Sequence, residues 1–277
     1  MALLLAVLAA VLLGLSDFFA ARSSRTVPAI TVTRTAVWVS TLLAPFLLLV
    51  IDSAWSAHDT VLAACSGVFM IGGLLLLYQG YSVARMGIVA PVSSVLLAAV
   101  PVVWDAFNGE VPGALAAGGM VLGGVALVLT SYTPSGQGSV RSGVVLGLTS
   151  GVAFGTAFTL MGQVTEDAGV STVVVQRLMG VLMLSALAVW RSEPYLAPAG
   201  PGRRYAVLAG VPAVVAIASL QLAFQKGASG PVAVASSQFA TVAVLLAVVF
   251  NRERMRWWQA VGVVATAGAV GLIAAGG

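Results

Sequence analysis

Gly87-Ile-Val-Ala-Pro-Val-Ser-Ser94, leading on to Phe107-Asn-Gly-Glu110, decides the fold because the chain contains it twice. A shift of 143 positions (Glu110 to Glu253) carries Gly87, Val89, Ala90, Ser93 and Ser94 onto Gly230, Val232, Ala233, Ser236 and Ser237. Without a gap it then carries Phe107, Asn108 and Glu110 onto Phe250, Asn251 and Glu253. Matches of Ala and Val are cheap in an apolar chain, but Phe-Asn-x-Glu at a fixed distance from Gly-x-Val-Ala-x-x-Ser-Ser is not. The same shift places Arg34 on Arg177, and Ala117, Gly119 and Val121 on Ala260, Gly262 and Val264. A duplicated half is a structural unit: the units are 1–132 and 142–277. Between them 133–141, with Thr133-Pro-Ser-Gly-Gln-Gly-Ser139, is a flexible linker.

Of the 277 residues, 60% are hydrophobic and 8% charged, with mean hydropathy +1.04. Soluble domains are about half apolar and a quarter charged, so this is the composition of an integral membrane protein whose main partner is the lipid bilayer. The formal charge of +4 comes from residues in short gaps between apolar runs. It therefore orients the chain at a membrane surface and does not point to nucleic acid. One cysteine, Cys65, excludes an internal disulfide, and one histidine, His58, excludes a Cys/His metal cluster. Met1-Ala-Leu-Leu-Leu lacks the positive start of a signal peptide, and Asp17-Phe-Phe stands where a cleavage site would be wanted, so the first apolar run is read as an uncleaved span.

A helix needs about 20 apolar residues to cross a bilayer. Ten runs qualify: 2–21, 29–50, 60–84, 87–106, 112–131, 142–162, 170–190, 204–225, 229–250 and 256–276. With an odd number of spans per half, the second half enters the membrane in the opposite sense, and the expected fold is an all-α bundle of two inverted five-helix repeats. Eleven of the thirteen basic residues then collect on one side, leaving Arg177 and Lys226 on the other. The positive-inside rule puts that side in the cytoplasm and both termini outside. Twelve arginines against one lysine, with much Ala, Gly and Val, suggest a high-GC bacterial genome. Gly143, Gly147, Gly151 and Gly155 recur every fourth residue, as do Gly119 and Gly123. Such stripes let backbones approach, either inside a monomer or between the copies of a homodimer.

Signatures of catalysis are missing: the sequence holds no Ser-His or Cys-His pairing, no His-Glu-x-x-His, and no phosphate-cradling loop in a plausible context. A binding role is better supplied. Asp17 lies about four residues inside the first span, about 6 Å deep, where a carboxylate is costly and a functional role is the default. Arg34 lies at similar depth in the second span. Either the two pair and fix helices one and two, or Asp17 lines a cavity and binds a proton or cation. Arg34 and Arg177 either snorkel to the surface or gate the two mouths. Glu110 and Glu253 precede the last span of each half, where a carboxylate suits a helix start. At mid-depth Tyr78 corresponds to Gln221, and Ser93 and Ser94 to Ser236 and Ser237, followed by Gln238. Polar groups in a bundle face its interior, so these are candidate substrate contacts. Pro91 and Pro231, near Gly87 and Gly230, are candidate helix breaks. Trp38, Tyr81 and Trp104 offer aromatic walls suited to an organic cation, while Trp55, Trp257 and Trp258 fit an interfacial belt.

Ten spans, the repeated Gly-x-Val-Ala-x-x-Ser-Ser, the Asn-x-Glu before the last span of each half and the paired Arg34 and Arg177 resemble the EamA-like members of the drug/metabolite transporter superfamily. Gly14-Leu-Ser-Asp-Phe18 looks like a Gly-x-x-Asp-Phe variant of the family. The chain departs from the family where a Pro-Val is usual, at Leu97 and Ala240, and in termini that the family usually keeps inside. The resemblance implies a secondary carrier without a cofactor, moving a small molecule by alternating access. The expectation is an exporter of a small polar or amphipathic metabolite, with Asp17 available for proton coupling. The alternatives are an importer or facilitator of an organic cation such as choline, and a structural membrane protein that transports nothing.

Overall fold

The computed structural model describes residues 1–83, 86–132, 139–251 and 256–276, and it is all-helical over them. The helices are α1 (Ala2–Ser23), α2 (Ala29–Leu47), α3 (Ala57–Val83), α4 (Met86–Phe107), α5 (Ala114–Ser131), α6 (Val140–Gly162), α7 (Ser171–Arg191), α8 (Pro201–Gln225), α9 (Ser229–Ser237), α10 (Phe239–Asn251) and α11 (Trp257–Gly276). A single 3-10 turn, Glu166–Ala168, lies before α7. Among the described residues eight helices are long and apolar enough to cross a membrane, counting α9 and α10 as one stretch, while α4 and α5 carry shorter apolar stretches over 92–107 and 114–130.

The helices sort into closely packed pairs: α1 with α8, α3 with α6, α4 with α6, and α5 with α11. Small residues make this possible. A Cβ added at Gly147, Gly151 or Gly155 would come within 3.0 Å of α4, against Val89, Ser93, Leu96 or Val100. The α6 stripe is thus used inside the monomer. Gly119 seats α5 on Ala269 and Ile273 of α11 in the same way, and Gly14 seats α1 on Val242 of α10. The largest apolar core, with Ala9, Phe158, Val173, Leu220 and Ala233, joins α1, α6, α7, α8 and α9.

The connections at the two ends are locked by polar contacts. The α2–α3 connection and the first turn of α3 lie on the segment before α7: Asp59 accepts from the Thr165 N–H and hydroxyl at 3.0 and 2.8 Å, and Ser53 accepts from the Val170 N–H at 3.0 Å. The α7–α8 connection lies on the α1–α2 end, where the Ala197 N–H donates to Thr35 at 2.9 Å and Ser23 donates to the Gly202 carbonyl at 2.7 Å.

Two sequence expectations need correction. The interruption in the ninth apolar run falls at Gln238, not at Pro231. There the Gln238 N–H reaches back three residues to Ala235, and Ser236 and Ser237 donate to the carbonyls of Ala233 and Val234, tightening the last turn of α9. Pro231 sits in the first turn of α9, where its missing N–H costs nothing. α4 runs through Pro91 without a break. Second, Glu110 does not cap α5, whose N-cap is Gly113 with no side-chain bond. The capping carboxylate comes from another helix: Asp105 of α4 accepts from the N–H of Gly230 at the start of α9. Glu253 lies outside the described residues.

Candidate functional site

Along α1, residues turn by about 100° each, so Asp17 falls within about 20° of the stripe carrying Ala6 and Ala10. Both alanines are buried, at 0% and 3% exposure. The lipid-facing residues Leu4, Leu8 and Val11 lie about 120° or more away by the same spacing. Asp17 is nevertheless exposed. It therefore sits on the bundle-facing stripe of α1 with part of its surface uncovered. Ser16 beside it donates to the Ala209 carbonyl of α8 at 2.9 Å, while Gly14 and Phe18 pack on Val242 and Phe250 of α10. These neighbours of Asp17 thus pack on α8 and α10, while Asp17 itself has no hydrogen bond or ion pair among the described residues.

The Asp17–Arg34 pair does not form. Arg34 is fully buried and does not snorkel; its guanidinium binds Glu193 at 3.0 Å and the carbonyl of Pro194. Glu193 is the single acid in the 191–204 gap, the signal that sequence reading could have used. Arg177, the repeat equivalent, has no such partner. One of its Nη groups donates to Gln176 Oε1 at 3.2 Å, and its Nε is buried without an acceptor.

Most of the polar residues singled out at mid-depth are committed to other helices. Ser93 bonds Ser150 of α6 at 2.7 Å, and Gln221 donates to the Met161 carbonyl at 3.1 Å. Ser236 and Ser237 are fully buried on their own backbone. Gln238 turns toward α5 and α11: its Nε2 donates to Gly123 and Val234 carbonyls, and its Oε1 accepts from Thr266 at 3.0 Å. Thr241 completes this network with Thr266 at 3.2 Å and Thr130 at 3.4 Å. Sequence reading missed these threonines because single hydroxyls in apolar helices carry no distinguishing pattern. Ser94 is half-buried. The side chains of Tyr78 and Tyr81 lie outside the described residues. Trp38 is half-buried with its indole N–H unpaired, and Trp104 is 42% exposed.

At the Arg-poor end Trp104 borders a cavity of about 510 Å³ whose rim includes Asp105, Glu110, Glu166, Gln225 and Lys226. Among the described residues no group of three or more His, Cys, Asp or Glu is placed to hold a metal ion.

A helical bundle with a carboxylate and an arginine on bundle-facing stripes, an acidic cavity at one end and long apolar helices defines a multi-pass membrane protein. Comparison with known proteins finds a family match over the second half. Residues 141–275, just under half of the chain, match the EamA-like transporter family, part of the drug/metabolite transporter superfamily. The fold is similar to a solved structure described as "Crystal structure of protein", with TM-score 0.77 and 19% identity, over 98% of this chain and 95% of that one. That likeness speaks to the fold alone. No curated protein matches the chain by sequence.

Proposed function

We propose that the chain is a secondary transporter that carries a small polar or amphipathic metabolite outward across a bacterial plasma membrane by alternating access. Ten spans in two inverted five-helix halves, 1–132 and 142–277, rock against each other. Support comes from the helix pairing, which survives exchange of the halves. With α9 and α10 as one span, α1 on α8 becomes α6 on α3, α2 on α8 becomes α7 on α3, and α4 on α6 becomes α9–α10 on α1; all are close pairs here. The clasped connections at the two ends exchange in the same way. In this reading the activity is transport and not catalysis, the Arg-rich ends face the cytoplasm, and both termini lie outside. Asp17 is the proton-coupling residue.

The test needs no known substrate. In a Cys65→Ser background, single cysteines replace Ala21 at the Arg-rich mouth and Trp104 at the other, and a membrane-impermeant thiol reagent is applied from each side. Alternating access requires that conditions raising labelling at one site lower it at the other. Fixed labelling at both would sink the proposal, and C-terminal reporter fusions test the orientation. The organic-cation alternative is favoured by one observation only, the free carboxylate of Asp17, and it leaves Arg177 without a role.

A further inference from the structure

We propose that Arg177, assisted by Trp38, is the recognition point for a carboxylate on the transported metabolite, an assignment that rests on the transport reading above. Arg177 lies on the bundle-facing stripe of α7. Val173, Val181 and Leu184 on that stripe are 1%, 6% and 1% exposed, whereas Leu178, Leu182 and Val189 face lipid at 49%, 54% and 63%. Two apolar clusters meet there: Val173 belongs to the main core, Val181 and Leu184 to a second core with Val37 and Ile71. A guanidinium in that seam keeps its charge and has no carboxylate partner among the described residues. Unpaired charge inside a membrane bundle is costly and marks a candidate functional site, a ligand counter-ion being one way to neutralise it.

The chain's other copy of this arginine shows what an internal counter-ion looks like. Arg34 has Glu193 and the Pro194 carbonyl. The positions that stand to Arg177 as those stand to Arg34 are Val50 and Ile51 in the first half, both aliphatic. Gln176, oriented by its Nε2 bond to Ser66 at 2.7 Å, accepts from the Arg177 guanidinium but, as a neutral amide, does not neutralise it.

α2 brings a second free donor. Thr41 donates to the Arg177 carbonyl at 3.1 Å, and one turn away on each helix Val37 abuts Gly180. Trp38 lies between these levels, packs against the Val181 and Leu184 cluster, and has a buried indole N–H with no acceptor. The unused groups, guanidinium N–H and indole N–H, are all donors. Their complement is a planar anion with two acceptor oxygens, which an arginine fork binds far better than a lone ammonium would.

The purified full-length protein tests this in two ways. Without any ligand, Arg177→Gln should raise the thermal midpoint by a few degrees and Arg34→Gln should lower it; equal losses would mean that Arg177 is neutralised within the protein, and the proposal fails. With ligands, the probes are 3-phenylpropionate against its primary amide, succinate against succinamide, and inorganic phosphate. The carboxylates should stabilise the protein and their amides should not, with affinity falling about 100-fold in Arg177→Gln and about 10-fold in Arg177→Lys and in Trp38→Phe. Equal binding of acid and amide, or carboxylate binding unchanged in Arg177→Gln, overturns the assignment, as does stabilisation by phosphate alone. Carboxylate binding through Arg177 without flux in proteoliposomes would instead sink the transport reading and leave the site standing.

Discussion

Arg34 and Glu193 meet at 3.0 Å, the guanidinium fully buried and the carboxylate 31% exposed. This ion pair ties α2 to the connection between α7 and α8, so it joins the two halves of the chain. It also spends Arg34, so Asp17 is left without that counter-ion.

Glu193→Ala should therefore lower stability. Removing one partner of a buried pair costs about 3–5 kcal/mol, but the exposed side of Glu193 lets water replace part of the loss, so about 1–2 kcal/mol is expected. Thermal unfolding in detergent reads this, and a double-mutant cycle with Arg34→Gln should return a coupling of about 1 kcal/mol. Zero coupling would mean that the pair contributes nothing.

The α6 glycines make a sharper contrast. A Cβ at Gly151 would sit 2.6 Å from the Ser93 carbonyl and 2.7 Å from Leu96, while one at Gly118 meets nothing within 4 Å. Gly151→Ala must push α4 away and should cost about 1–3 kcal/mol. Gly118→Ala, in a helix interior with open space, should gain about 0.5–1 kcal/mol. Equal effects of the two substitutions in the same unfolding assay would contradict the close α4–α6 packing.

The helices were legible because apolar runs and their polar gaps report the same boundary twice. The expected run 142–162 is the helix Val140–Gly162, and 170–190 is Ser171–Arg191. What could not be read was which polar side chain spends itself on a neighbouring helix. Ser93, Gln221 and Gln238 carry the repeat pattern, but their bonds to Ser150, Met161, Gly123 and Thr266 depend on helix rotation, which sequence spacing leaves open. The repeat also led away from Glu193, since the residue at the equivalent place in the first half is Val50.

Asp105 caps α9 from across the bundle, accepting from the Gly230 N–H and from Ser229 while only 5% exposed. Asp105→Ala leaves the first turn of α9 without its acceptor, a loss of about 1 kcal/mol by analogy with local caps. Hydrogen exchange should quicken at 229–232 and stay unchanged in α11. Asp105→Asn keeps one acceptor oxygen and should fall between the two. An unchanged exchange pattern in the alanine variant would show that the contact does not hold α9.

Asp17 separates a functional carboxylate from a structural one. It has no partner to lose, so Asp17→Asn should leave stability within about 0.5 kcal/mol of the native chain. A neutral amide imitates the protonated carboxyl at every pH. If Asp17 carries the coupling proton, solute flux into proteoliposomes should lose its response to an imposed pH gradient in the variant, as expected for removal of a titrating group. Retained pH dependence would assign coupling elsewhere, and a large fall in the thermal midpoint would mark Asp17 as a structural residue of the α1, α8 and α10 junction.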